Sequence, residues 1–226
     1  MNPQESLVTI ANPRSPISEA YRTLRTNLEF ASLDRPLKTM VGTSPGPEEG
    51  KSTILANLAV ALAQAEKRVI LVDSDLRRPS LHRIFGLQNS LGLTNMVVDE
   101  EVFHTPPLQE TPVPSLLLLP SGPLPPNPSE LLGSRRMEEI IALLSQRADM
   151  VLFDAPPIIA VTDAAVLASK VDGVLLVIGA GKTKRDHAQR AKILLEKVNA
   201  RLVGAVLNNV SMDISLHRYY AEQGRG

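Results

Sequence analysis

The clearest signal in the chain is a series of short, almost wholly apolar runs separated by amphipathic stretches. The first has a basic start, Lys38-Thr39-Met40-Val41. Four more follow: Val69-Ile70-Leu71-Val72, Val151-Leu152-Phe153, Val174 to Ile178, and Leu202 to Leu207, with Leu116 to Leu119 as a further short candidate. Runs of this length, apolar on every residue and alternating with helical periodicity, predict a parallel sheet covered on both faces. The spacing predicts a helix that opens at Ser15 as N-cap and Pro16 as first residue. Its apolar stripe would be Ile17, Tyr21, Leu24 and Leu28, with Asp34-Arg35-Pro36 ending the segment. Glu19, Arg22 and Arg25 fall outside that stripe, on the solvent flank. A second stripe, Ile54, Leu58, Leu62 and Ala65, predicts a helix after the first strand, and two more are expected over 134–146 and 185–198. The first 14 residues read as an arm, and the Pro-rich segment 120–128 as a rigid extended loop.

Between the first strand and its helix lies Ser44-Pro45-Gly46-Pro47-Glu48-Glu49-Gly50-Lys51-Ser52-Thr53. A strand, a Gly/Pro-rich loop and Gly-Lys-Ser at a helix start form the layout of a phosphate-binding loop. Backbone N–H groups and the helix N-terminus surround the anion, Lys51 adds a full charge, and Ser52 offers a hydroxyl to Mg²⁺. The commonest form of the motif would place Gly at position 45, where this chain has Pro45 followed by Gly46. Two later strands end alike, in Asp73-Ser74-Asp75-Leu76-Arg77-Arg78-Pro79 and in Asp154-Ala155-Pro156-Pro157. In an open parallel sheet the ligand crevice lies beyond the carboxyl ends of the strands, so Asp73, Asp75 and Asp154 are expected to face the loop. One hydroxyl with one or two carboxylates suffices for Mg²⁺, and a carboxylate within reach can accept a hydroxyl proton.

Composition narrows the picture. The 226 residues are 43% hydrophobic but only 3% aromatic, so an aliphatic core and a single doubly wound domain over 1–226 are expected. Lys+Arg and Asp+Glu both number 24, a balance that calls for neither nucleic acid nor an anionic membrane surface as partner. No run reaches the roughly 20 apolar residues that cross a bilayer. The chain is thus read as a cytoplasmic protein without direct membrane insertion. With zero Cys there is no thiol nucleophile and no cysteine-held cluster. The basic groups Arg77-Arg78, His82-Arg83, Arg135-Arg136 and Lys182-Lys184-Arg185 read mainly as solvated faces.

The loop at 44–52, the segment 73–79 and Phe153-Asp154-Ala155-Pro156-Pro157 resemble the Walker A, A′ and B motifs of bacterial tyrosine kinases, in particular the cytoplasmic kinases of capsular and exopolysaccharide assembly. Glu19-Ala20-Tyr21-Arg22-Thr23-Leu24-Arg25 is similar to the helix that packs such subunits into a ring, and 125–132 to a characteristic loop. The resemblance spans about residues 12 to 209 and implies a Mg²⁺·ATP-dependent autokinase of P-loop fold that phosphorylates tyrosines in a neighbouring subunit's tail. It places Gly46, Pro47, Glu48, Glu49 and Gly50 around the phosphates, Lys51 on the β/γ-phosphates and Thr53 on the α-phosphate. Ser52, Asp75 and Asp154 would hold the metal and its waters, Asp73 would accept the tyrosine proton, and Asn208 would touch the base. Glu19, Arg22 and Arg25 would mediate oligomerisation. The implied partners are the cytoplasmic tail of a membrane polysaccharide co-polymerase, which would keep the kinase peripheral at the inner membrane face, and a cognate tyrosine phosphatase.

The family usually ends in a tyrosine-dense tail. This chain has three Tyr, of which Tyr219 and Tyr220 fall in the segment 210–226 and are the expected acceptors. The competing expectation is a non-kinase ATPase switch of the partition or septum-positioning type. Those proteins usually carry a second lysine early in the loop, and positions 45–49 here hold none.

Overall fold

A computed structural model describes residues 7–210. Seven strands form one sheet: β1 (Thr39–Thr43), β2 (Val69–Asp73), β3 (Gln109–Glu110), β4 (Leu116–Leu119), β5 (Met150–Asp154), β6 (Gly173–Gly179) and β7 (Leu202–Asn208). Their spatial order is β3-β4-β2-β5-β1-β6-β7, parallel throughout except for the short antiparallel β3. The chain leaves β1 towards β2 on one side and leaves β5 towards β6 on the other. The crossovers therefore diverge at the paired β1 and β5 and open a crevice beyond their carboxyl ends.

The helices in chain order are α1 (Val8–Ala11), α2 (Pro16–Ala31), α3 (Lys51–Ala63), α4 (Leu81–Phe85), α5 (Leu93–Val98), α6 (Glu100–His104), α7 (Pro128–Gly133), α8 (Arg135–Arg147), α9 (Asp163–Ala168) and α10 (Arg185–Lys197). Alternate strand residues point to opposite faces. Val41, Ile70, Val72, Val151, Phe153, Val174 and Leu176 pack with α5, α8, α9 and α10. Met40, Val69, Leu71, Leu152 and Leu175 pack on the other face with α3, α4 and Leu28 of α2. Gly42 is required where β1 meets α3, because a Cβ there would stand 2.4 Å from Leu55 Cδ1. Among the described residues, no helix is long and apolar enough to cross a membrane.

Ser15 caps α2 by accepting from the Ser18 N–H, and Pro16 opens the helix. Ser134 likewise caps α8 through the Met137 N–H. Four expectations change. The arm before residue 15 contains α1, pinned by Thr9, whose N–H and hydroxyl both donate to Asn57 Oδ1 of α3. With α2 on its outer side and the sheet beneath it, α3 is buried from Ile54 to Ala63 and has no solvent stripe; Ala65 lies beyond its end. Ile17 is 52% exposed, because it lines an open groove between α2 and β7 and does not pack into the core. The last strand, β7, is a half-exposed edge strand, unlike the other strands expected from apolar runs.

Candidate functional site

Three loops leave the carboxyl ends of β1, β2 and β5 and are stitched together at once. The Thr43 hydroxyl donates to the Pro156 carbonyl at 2.7 Å, and Ser74 donates both its N–H and its hydroxyl to the Asp154 carbonyl. The Ile158 N–H donates to the Ser44 carbonyl. These bonds fix the spacing of the strand-end acids before any charge interaction is considered.

Lys51 begins α3 and reaches back over the crevice. Its ammonium lies 2.9 Å from Asp154 Oδ1, 3.1 Å from Asp75 Oδ2 and 3.2 Å from the Ser52 hydroxyl. Burial works to lower the Lys51 pKa, but the adjacent Asp154 and Asp75 charges outweigh it, and the net shift is upward. The lysine is thus held charged. Asp154 is fully buried, and desolvation raises its pKa against the attraction of Lys51. Asp75 Oδ1 accepts from the Arg78 N–H, which fixes the other side of that carboxylate.

Asp73 stands differently. It is fully buried, and its Oδ2 accepts from the N–H groups of Ser80 and Leu81 at the start of α4. Burial first, and the Asp154 charge second, push its pKa up to about 7, although those two N–H groups pull it down. Asp73 Oδ1 and Asp154 Oδ2 are buried oxygens without a hydrogen-bond partner among the described residues. Unpartnered buried carboxylate oxygens beside a lysine and a hydroxyl are the donor chemistry that suits a hydrated Mg²⁺, directly or through its waters. No group of three or more acidic or His side chains among the described residues could hold a metal by itself.

The crevice, of about 330 Å³, is lined by Pro47 to Thr53 with Asp75, Arg78, Ser80, Ile84 and Pro157. Gly50 caps α3 with φ 87°, a left-handed conformation that favours glycine, and a Cβ there would meet Asn208 Nδ2 at 2.2 Å. Glu49 is buried under the loop; its Oε1 accepts from the Gly46 N–H and its Oε2 from the Gly179 N–H. Asn208 Nδ2 donates to the Glu49 carbonyl at 2.9 Å, so this amide braces the loop.

The structure thus gathers Lys51, Ser52, Thr53, Asp73, Asp75, Asp154 and Asn208 at one end of the sheet, while Tyr219 and Tyr220 lie outside the described residues. Glu19 and Arg22 form an ion pair at 2.7 Å on α2. Arg25 is not on a solvent flank: it is half-buried and donates to the Ala61 carbonyl of α3. Three of the basic groups are not solvated faces either: Arg136 pairs with Glu139 at 3.0 Å and lies over the Phe103 ring. Arg77 makes a two-pronged pair with the buried Asp163, and Lys182 contacts the phosphate loop. Asp163, Arg78, Ser80 and Lys182 are the residues that sequence reading passed over. Asp163 and Lys182 have partners 86 and 134 positions away, too far for a local pattern to show, while Arg78 and Ser80 bond Asp75 and Asp73 through backbone N–H groups that no side-chain pattern marks.

Comparison with known proteins agrees with this geometry. Residues 41–225 match the CobQ/CobB/MinD/ParA nucleotide binding domain model. The chain is 44% identical over 221 residues to tyrosine-protein kinase YwqD of Bacillus subtilis, covering 98% of this chain and 92% of that one. The crystal structure of the chimerical protein CapA2B2 superposes with a TM-score of 0.88 at 38% identity, covering 92% of this chain and 91% of the other. The cell division ATPase MinD of Pyrococcus furiosus superposes less closely, with a TM-score of 0.63 at 22% identity over 82% of this chain and 80% of its own, and shares the fold alone. The partition-type alternative is therefore only a distant likeness, and the chain belongs to the P-loop tyrosine-protein kinases of bacteria.

Proposed function

We propose that this protein is a Mg²⁺·ATP-dependent autokinase that transfers the γ-phosphoryl group to tyrosines in the tail of a neighbouring copy, with Tyr219 and Tyr220 as acceptors. The observation that carries the reading is the convergence of Lys51, Asp75 and Asp154, with the buried Asp73 beside them, on a crevice of about 330 Å³ at a helix N-terminus. The loop N–H groups and Lys51 bind and orient the β- and γ-phosphates, with Gly46 to Gly50 as the wall and Thr53 at the α-phosphate end. Ser52, Asp75 and Asp154 would hold Mg²⁺, which when bound neutralises charge on the phosphate oxygens. Asp73, with a pKa near 7, is tuned to accept the proton of an attacking hydroxyl at neutral pH. Asp73 is buried against the start of α4, so the proton would reach it only after local opening or through water. Asn208 holds the loop, and on this reading it would also touch the base.

Self-association into a ring through Glu19, Arg22 and Arg25 belongs to the same proposal, as does activation by the cytoplasmic tail of a membrane polysaccharide co-polymerase. That contact would hold the kinase at the inner face of the membrane, and a cognate phosphatase would reverse the modification. The relatives' names, tyrosine-protein kinase YwqD and putative tyrosine-protein kinase CapB, support the kinase assignment. The test is a mass-spectrometric map of phosphotyrosine after incubation with Mg²⁺·ATP. Phosphate on Tyr219 or Tyr220, lost in Lys51→Met, is the expected result; a wild-type chain without phosphotyrosine, with and without activator, would refute it.

A further inference from the structure

We propose that Lys182 is a positioning residue of the phosphate loop: with Asn208 it holds two successive loop carbonyls outward and so aims the next two N–H groups at the phosphates. The inference rests on the nucleotide-binding reading of the loop. Lys182 Nζ donates to the Glu48 carbonyl at 2.9 Å and stands 3.4 Å from Glu48 Oε2. Asn208 Nδ2 donates to the Glu49 carbonyl, one peptide further on. In a planar trans peptide the C=O and N–H point in opposite directions. Fixing these two carbonyls therefore turns the N–H groups of Glu49 and Gly50 away from Lys182 and Asn208. Among the described residues neither N–H group makes a backbone hydrogen bond of normal distance and angle.

The backbone needs this support. Glu48 has φ 57° and Gly50 has φ 87°, while Glu49 between them is not left-handed. Alternating handedness along successive residues is the geometry of an anion-binding nest, and a left-handed Glu is uncommon without something to hold it. The lysine bonds that very residue.

Lys182 is itself well placed. It sits in the turn between β6 and α10, where its own N–H and that of Thr183 both donate to the Gly179 carbonyl. Gly179 in turn donates to Glu49 Oε2, and the Ala180 N–H donates to the Asn208 carbonyl. Loop, turn and the end of β7 thus form one hydrogen-bonded unit, and Lys182 is the cation that reaches from the turn to a loop carbonyl. The sequence separation of 134 residues between Lys182 and Glu48 hides the pair from any local reading.

The test compares wild-type, Lys182→Ala and Lys182→Arg for binding of Mg²⁺ with a fluorescent ADP analogue, for competition by adenosine, and for the thermal midpoint of the ligand-free protein. Loss of a charged hydrogen bond predicts that Lys182→Ala binds the ADP analogue roughly tenfold more weakly. Adenosine competition and the ligand-free midpoint should not change, and Lys182→Arg should recover most of the affinity. ADP binding by Lys182→Ala within twofold of wild type would overturn the proposal, as would an equal loss for adenosine or a wild-type chain that binds no ADP. The readout involves no phosphoryl transfer. A wild-type chain that binds ADP but forms no phosphotyrosine would therefore sink the kinase reading and leave this one standing.

Discussion

Two concave regions of the molecule are built on opposite principles. The crevice beyond β1, β2 and β5 buries three carboxylates and a lysine, which would be costly without mutual pairing. The groove between α2 and the edge strand β7, of about 450 Å³, is lined by Pro16, Ile17, Tyr21, Leu24, Ile54 and Val206 and leaves large apolar side chains in water, with Leu207 57% exposed. One region carries charge where apolar side chains would be more stable; the other exposes apolar surface where polar side chains would be more soluble. Each departs from what folding alone favours, and in each the departure marks a surface suited to another molecule. The two meet at Asn208, which lines the groove and braces the phosphate loop.

The largest effect should come from removing the cation of the charged region. Lys51→Met leaves Asp154 and Asp75 facing each other unpaired, so it should lower stability by about 3 kcal/mol at neutral pH as well as abolish phosphoryl transfer. A urea midpoint unchanged from wild type would mean that the acids are solvated and the crevice is not the buried network described.

The next effect is pH-dependent. Asp73 titrates at about 7 in the folded chain and near 3.8 when unfolded, so between those values the folded state holds a proton that the unfolded state has released. Its contribution to stability is therefore full below about pH 4 and is lost as pH rises towards 7. Asp73→Asn should remove this fall, on the order of 1 to 3 kcal/mol, and make urea midpoints at pH 5 and pH 8 more alike than in wild type. Equal slopes in the two proteins would contradict the burial assigned to Asp73.

The smallest effect belongs to the apolar region's rim. The Glu19–Arg22 pair is partly exposed, with side-chain accessibilities of 45% and 36%, so replacing both by Ala should cost the single chain less than about 0.5 kcal/mol. If α2 packs copies into a ring, the same change reduces the mass found by light scattering to that of a monomer while the thermal midpoint barely moves. A large loss of stability with no change in mass would make the pair an internal brace instead.

The charged region was far more legible in the sequence than the apolar one. Val69 to Asp73 and Met150 to Asp154 are apolar runs ending in an acid, and in a parallel sheet that pattern by itself puts the acids at the ligand end. Pairings across the fold carry no such mark: Arg77 finds Asp163 86 residues away, and Arg25 turns inward because α3 offers it the Ala61 carbonyl. The wheel for α2 groups Ile17 with Tyr21 and Leu28, but periodicity cannot say which part of a stripe is covered, and Ile17 faces the open groove beside β7. On α3 the reverse happened: a stripe was read from a helix that the sheet, α1 and α2 enclose. For Lys182 the local pattern, Gly-Lys-Thr-Lys, is that of an ordinary solvated turn; only the topology brings it to the loop.

The central claim, phosphoryl transfer from the charged crevice of one copy to the tail of another, is tested most directly by mixing a chain that lacks the crevice lysine with one that lacks the acceptors. A Lys51→Met chain is incubated in Mg²⁺·ATP with a mass-tagged chain carrying Tyr219→Phe and Tyr220→Phe, and phosphotyrosine is mapped on each. Phosphate on Tyr219 or Tyr220 of the Lys51→Met chain is the predicted result. A Lys51→Met chain that stays unmodified while wild type alone gains phosphotyrosine would contradict transfer between copies.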